Sequence, residues 1–249
     1  MNVLLVLLLV ALAGCVSQAQ PITPGPVAIE PADQPILDAF LRHIDTTKSN
    51  CTPERMAQYA AQPEDITWQA ARIIEMPLIA FQLTGEQAYL DEFVARTDTL
   101  LALLTEDADG HPGWYGLPLE LFRNPEHPDE PVDVIITSLT MAGLLADFAL
   151  VVREAGLEAE YAAQIERYLP IARALVDKWD ARGNYRVLPG GGAVYITHER
   201  LAPLKAHLTQ PHNKHSIAVF ALASLYEATG DERYIERRWR GSERASSAA

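Results

Sequence analysis

Three glycine-centred motifs constrain this chain of 249 residues more than any other feature. They are Leu83-Thr84-Gly85-Glu86-Gln87-Ala88-Tyr89-Leu90, Ala155-Gly156-Leu157-Glu158-Ala159-Glu160-Tyr161 and Ala228-Thr229-Gly230-Asp231-Glu232-Arg233-Tyr234-Ile235. In each, an apolar run at helical spacing ends at glycine, acids follow, and a tyrosine comes four or five residues later. The glycines stand 71 and 74 residues apart. Glycine stops a helix by taking a left-handed conformation at no steric cost. Acids just after it favour the positive end of the next helix. A fixed period of this kind marks stacked supersecondary units. The expected fold is all-α, built of helical hairpins, with three clear copies.

Each hairpin also has a recognisable head: Pro63-Glu64-Asp65, Pro131-Val132-Asp133 and Pro211-His212-Asn213. An Asp or Asn two residues after proline suits an N-cap, because its side chain accepts from the first unpaired amides. Connections inside hairpins are two or three residues, whereas those between them, about 106–131 and 181–211, are long. Antiparallel helices then put the tight turns on one rim and both long loops on the other. Long ordered loops usually carry function, so the site is expected on the long-loop rim. Upstream, Ile36 to Ile44 predicts a short helix, Thr46 to Pro53 a polar loop and Arg55 to Ala61 a further helical turn.

A net charge of -13 argues against nucleic-acid binding, which needs a basic face. The charge is segregated, however. Residues 182–215 carry Arg182, Arg186, Arg200, Lys205 and Lys214 against the single acid Glu199, together with four histidines. Residues 106–133 carry eight acids against Arg123. A local basic stretch in an acidic protein suits an anionic ligand.

The N-terminus reads as a targeting segment. Val3 to Leu12 is apolar but too short to span a bilayer. It ends in Leu12-Ala13-Gly14-Cys15, which resembles the lipobox of bacterial lipoproteins. That resemblance implies cleavage before Cys15, acylation of its thiol and export, with the membrane engaged only through the lipid. The expected organisation is a signal peptide over 1–15, a linker over 16–35, a helical domain over 36–237 and an aberrant tail over 238–249. Cys51 is then left without a disulfide partner.

The motifs around Gly85 and Gly230 resemble those of the (α/α) toroid of the six-hairpin glycosidase superfamily and the related toroidal polysaccharide lyases. The resemblance covers roughly residues 63–237 and implies an incomplete barrel, since such toroids close with more hairpins than this chain holds. The tail from Arg237 leaves the helical pattern, as a truncated or frameshifted member would. The resemblance implies a polysaccharide lyase that cleaves a uronate-containing polysaccharide by β-elimination and needs no cofactor. It also implies catalytic roles for Asn213, His212 and a nearby tyrosine.

The residues fit that chemistry. Removing the C5 proton of a uronate requires its carboxylate charge to be offset, by an amide, a cation or a helix N-terminus. It also requires a base at C5 and an acid at the leaving oxygen. His212 or His215 suits the base and Tyr195 the acid, with Asn213 offsetting charge. Arg200, Lys205 and Lys214 suit a sugar carboxylate, and Trp114 or Tyr115 a stacking subsite. Equally, Asn213 reads as a cap, Tyr195 as a residue packed under its loop and Trp114 as a plug. A glycoside hydrolase using Glu75, Glu120 or Asp133, or a non-catalytic glycan-binding protein, are the alternatives. No tight ligand spacing among the histidines marks a metal site, and Asp107-Ala108-Asp109-Gly110 reads as a turn rather than a calcium loop.

Overall fold

Gly85, Gly156 and Gly230 all take positive φ, at 73°, 72° and 66°, in the computed structural model, which describes residues 28–189, 192–201 and 205–235. Gly85 and Gly230 are C-caps whose amides donate to Phe81 O and Tyr226 O, both at 2.7 Å. The glycine stops are therefore as expected, and the chain is all-α with two small β-hairpins.

In order, α1 (Gln34–Thr47) and a 3-10 turn (Lys48–Cys51) lead to α2 (Pro53–Ala60). The polar loop expected from Thr46 is thus largely helical. Then come α3 (Pro63–Asp65), a π-turn (Ile66–Ala70) and α4 (Ala71–Thr84), and α5 (Ala88–Leu101) closes the first hairpin. The second hairpin is α6 (Ile135–Glu154) with α7 (Ala162–Ala181). The third starts with α8 (His212–Thr229), and the chain is helical again from Arg233 to Ile235. Strands β1 (Thr105–Glu106) and β2 (Pro112–Gly113) pair in the first long loop. Strands β3 (Tyr185–Val187) and β4 (Ala193–Tyr195) pair in the second, Tyr185 opposite Tyr195. Gly190 and Gly191, between these strands in sequence, lie outside the described residues.

Helix α6 is the centre. It packs on α4, α7 and α8, while α5 backs α4. Its apolar residues run all round it, so it has the length and hydropathy of a membrane span, yet 89% of that window is buried inside the protein. A helix apolar on every side is a core helix when neighbours cover it. Phe93 stacks on Phe148 at 5.0 Å, and Tyr161 and Tyr168 meet Phe148 edge-on.

Contacts between hairpins recur at about the repeat length. Tyr161 donates to Asp91 at 2.7 Å and Tyr168 to Asp98 at 2.5 Å, both 70 residues apart. Gln87 donates to Glu160, 73 residues on, and Arg153 to the Ala228 carbonyl, 75 on. Successive hairpins therefore stack in register. Arg96, 1% exposed, ties α1 to this stack through Thr47 Oγ1, the Ile44 and Ile73 carbonyls and Glu92.

The hairpin heads differ from the expected caps. Gln62, Val134 and Pro211 are the N-cap residues, and none makes a side-chain cap hydrogen bond. Asp65 ends α3 and Asn213 is the second residue of α8. Asp133 stands outside α6 and is buried. The proline starts helix α3 and immediately precedes α8, but lies four residues ahead of α6. Similar tripeptides thus occupy different helical registers.

Candidate functional site

The long-loop rim holds a cavity of about 210 Å³. Glu64 comes to it from α3, Asp133 to Ile135 from the head of α6, Trp179 from the end of α7, and Pro211 and Lys214 from the first turn of α8. The second long loop supplies Thr197, His198, Leu201, Lys205 and Leu208 to Gln210. That loop is zipped onto itself: Thr197 N donates to Leu208 O at 2.8 Å and His207 N to Thr197 O at 3.0 Å. His207 takes a left-handed φ of 62° to make the bend. Gln210 Nε2 donates to Thr197 Oγ1 at 2.8 Å and fastens the loop to the head of α8.

One side of the cavity rests on a sealed ion pair. Asp133 Oδ2 accepts from Lys178 Nζ and from Ser138 Oγ at 3.0 Å, while Oδ1 accepts from Val134 N at 2.8 Å. Lys178 Nζ also donates to Pro112 O at 2.6 Å. Both side chains are wholly buried. Burial lowers the proton affinity of Lys178, and the Asp133 carboxylate opposes that. Asp133, weighed from sequence as a hydrolytic carboxylate or a cap, is therefore an internal counter-ion for α7.

The segregated charges meet one another. Arg182 holds Asp109 through two bonds of 2.8 and 3.0 Å and reaches Asp107 and Tyr115 Oη at 3.2 and 3.1 Å. Arg200 binds Glu130 at 2.7 Å, Asp107, and the Pro131 carbonyl at 2.9 Å. Arg182 holds the Asp109 carboxyl at about 2. Arg200, expected to take a sugar carboxylate, is thus occupied in clamping the two loops together.

The other expected residues separate into groups. Trp114 is 1% exposed and donates from Nε1 to Leu100 O at 3.1 Å, so it plugs its loop rather than offering a stacking face. Tyr115 donates to His111 O at 2.9 Å, and burial pushes its phenol up to about 12. It too belongs to the loop clamp. His212 and Asn213 are exposed and do not line this cavity or those of about 250 and 360 Å³. Tyr195 is buried under its loop. With His215 it lines an apolar groove of about 360 Å³ beside α8, where His215 Nε2 lies 3.5 Å from the Tyr195 carbonyl. Of the expected catalytic quartet, Tyr195 and His215 share this groove, while His212 and Asn213 stand exposed at the start of α8. The carboxylates weighed for hydrolysis are also apart: Glu75 pairs with Arg72 at 3.0 Å and Glu120 is exposed in the first long loop. Cys15 lies outside the described residues.

Lys205 and Lys214 do converge on the rim cavity. Lys214 Nζ is 3.4 Å from Glu64 Oε1, and Lys205 Nζ sits 3.0 Å from the centroid of the Phe122 ring. Burial lowers the proton affinity of Lys205; Glu64 opposes this, and the nearby Lys214 adds to it more weakly. His198 Nδ1 accepts from Arg200 N at 3.1 Å, so in the neutral ring Nε2 carries the hydrogen. Burial, then Arg182 and Arg200, depress its protonation, which keeps that neutral form at pH 7. With Asp133 neutralised by Lys178, the cavity wall is left with two ammoniums and one carboxylate, a local excess of positive charge. Glu64 and Trp179 were not singled out by sequence. Glu64 stood there only as part of a helix head. Among the described residues, no group of three or more His, Cys, Asp or Glu is placed to hold a metal ion. Compared with known proteins, the chain matches no family model and no curated protein.

Proposed function

We propose that the stacked hairpins are part of an (α/α) toroid and that the protein is a polysaccharide lyase cleaving a uronate-containing polysaccharide by β-elimination at the rim cavity. The observation that carries this reading is the pair Lys205 and Lys214 in a wall whose one carboxylate besides Asp133, that of Glu64, lies 3.4 Å from Lys214. Every other rim interaction of Arg182 and Arg200 is internal. An acidic protein that keeps a net positive cavity is suited to an anionic group, and the carboxylate of a uronate is such a group. The ammonium that pairs with it offsets the charge that makes C5–H removal unfavourable. The cavity, at about 210 Å³, is smaller than the roughly 300–1,000 Å³ of drug-sized sites. It suits one sugar ring rather than a long segment.

A hydrolase would need two carboxylates flanking the glycosidic bond. With Asp133 bound to Lys178, Glu64 stands alone in the cavity, which favours elimination. We also propose export as a lipoprotein anchored at Cys15, on the lipobox-like motif alone.

The test is to incubate the full chain with alginate, glucuronan and glycosaminoglycans while following the ultraviolet absorbance of the unsaturated product. A rise in absorbance supports elimination. New reducing ends without absorbance, or no product from folded protein, would overturn it.

A further inference from the structure

We propose that the apolar groove beside α8 docks a second copy of this chain, the two α8 helices crossing antiparallel about a two-fold axis. This does not depend on the lyase reading. Apolar residues run round the whole of α8, as they do round α6. Helix α6 has α4, α7 and α8 against it, whereas α8 has α6 and a lighter contact with α7. The inward side of α8 buries Ala218, Ala221, Leu225 and Ala228. The outward side leaves Val219 44% and Phe220 38% exposed. Val219, Leu222, Ala223 and Tyr226 there line the groove of about 360 Å³. A helix apolar on every side is normally a buried one.

The charges on that face identify its cover. His215, Val219, Ala223 and Glu227 are spaced four apart and all line the groove. They form one ridge along the helix, with an imidazole at one end and a carboxylate at the other. Such ridges from two helices interdigitate at a crossing of about −50°, the commonest helix packing. Run antiparallel against its own copy, with the crossing level with Ala221, the ridge meets itself in register. Each Val219 then lies against the partner's Ala223, and each His215 against the partner's Glu227.

A two-fold interface uses one patch twice, so the patch must complement itself. This one does, with an apolar middle and ends of opposite kind. Neither end is spent within the chain. The His215 ring reaches the Tyr195 carbonyl at 3.5 Å, and Glu227 is exposed with no ion pair among the described residues.

The experiment is sedimentation of the full chain from about 1 to 100 µM in about 0.15 M salt, which screens its net charge. A dimer is expected; a monomer throughout overturns the proposal. Val219→Glu puts two carboxylates in the apolar middle and should raise the dimer Kd about 100-fold or more. Glu227→Lys alone sets a cation against each His215, and His215→Glu alone an anion against each Glu227. Each should raise Kd about tenfold or more. Combining the two restores opposite charges at both ends and should recover most of the dimer. Oxidising V219C mixed with A223C should cross-link the two chains to each other more readily than either to itself. A dimer indifferent to V219E, or a double variant without recovery, overturns this docking face. If V219E does not fold, the charge exchange and the cross-link decide. A monomer whose V219C thiol is slow towards maleimide would mean that residues 236–249 of the same chain cover the groove. A fast thiol would mean that the groove stands open, and either result removes the second copy.

Discussion

Asp133 and Lys178 form an ion pair whose two side chains are both fully excluded from solvent, joining the head of α6 to the last turns of α7. Ser138 Oγ and the Pro112 carbonyl supply the further hydrogen bonds that a buried pair needs. Removing one partner strands the other charge in the interior, which costs about 3–5 kcal/mol. Urea denaturation should therefore show Asp133→Ala and Lys178→Met each strongly destabilised. The combination Asp133→Leu with Lys178→Met should be less unstable than the sum of its parts. Additive losses would mean the two residues are not coupled.

Gly113 tests the same junction from the other side. A Cβ built there lies 2.7 Å from Asp133 Oδ2 and 2.9 Å from Lys178 Nζ, so even alanine would push on the pair. At Gly85 nothing lies within 4 Å, and only the left-handed φ of 73° resists a side chain. Gly85→Ala should cost about 1–2 kcal/mol, and Gly113→Ala more, by thermal melting. Equal losses would mean that the ion pair yields freely.

How much of this was legible in the sequence depends on how local the cause is. The glycine stops were, because a left-handed φ is a property of one residue and its neighbours. The head motifs were not. Pro131-Val132-Asp133 looks like Pro211-His212-Asn213, but Lys178, 45 residues away, draws Asp133 into the interior. No local pattern contains that partner. The charge segregation was visible and its meaning was not: the basic loop is occupied by the acidic one, through Arg182, Arg200, Asp107, Asp109 and Glu130. Lys205 and Lys214 were expected to take an anion because they lie in that basic stretch, yet their meeting with Glu64 needs α3 and α8 to be neighbours.

Trp114 separates anchoring from sugar stacking. Its ring is buried in the main core and its Nε1–H is held by Leu100 O. Trp114→Ala should cost about 3–5 kcal/mol in a denaturant titration. Below the unfolding range it should leave the affinity for uronate oligosaccharides, read by calorimetry, unchanged. A loss of affinity in a still-folded variant would return Trp114 to the role of a subsite.

Asp147 on α6 sets a pH dependence of stability. Burial first, then Glu75, Glu154 and Glu227, push its carboxyl up to about 6 from an ordinary 3.8. A group raised in the folded protein binds its proton more tightly there than in the unfolded chain. Ionising it therefore costs stability, fully so well above pH 6, by at most roughly 3 kcal/mol. The cost shrinks as pH falls through 6 towards 3.8, and below that it is gone. Asp147→Asn keeps the shape and removes the titration. Its melting temperature should exceed the wild type's at pH 8, by several degrees, and the gap should close as pH approaches 4. A gap independent of pH would place the benefit in packing, and no gap at pH 8 would mean that Asp147 is hydrated in the folded protein.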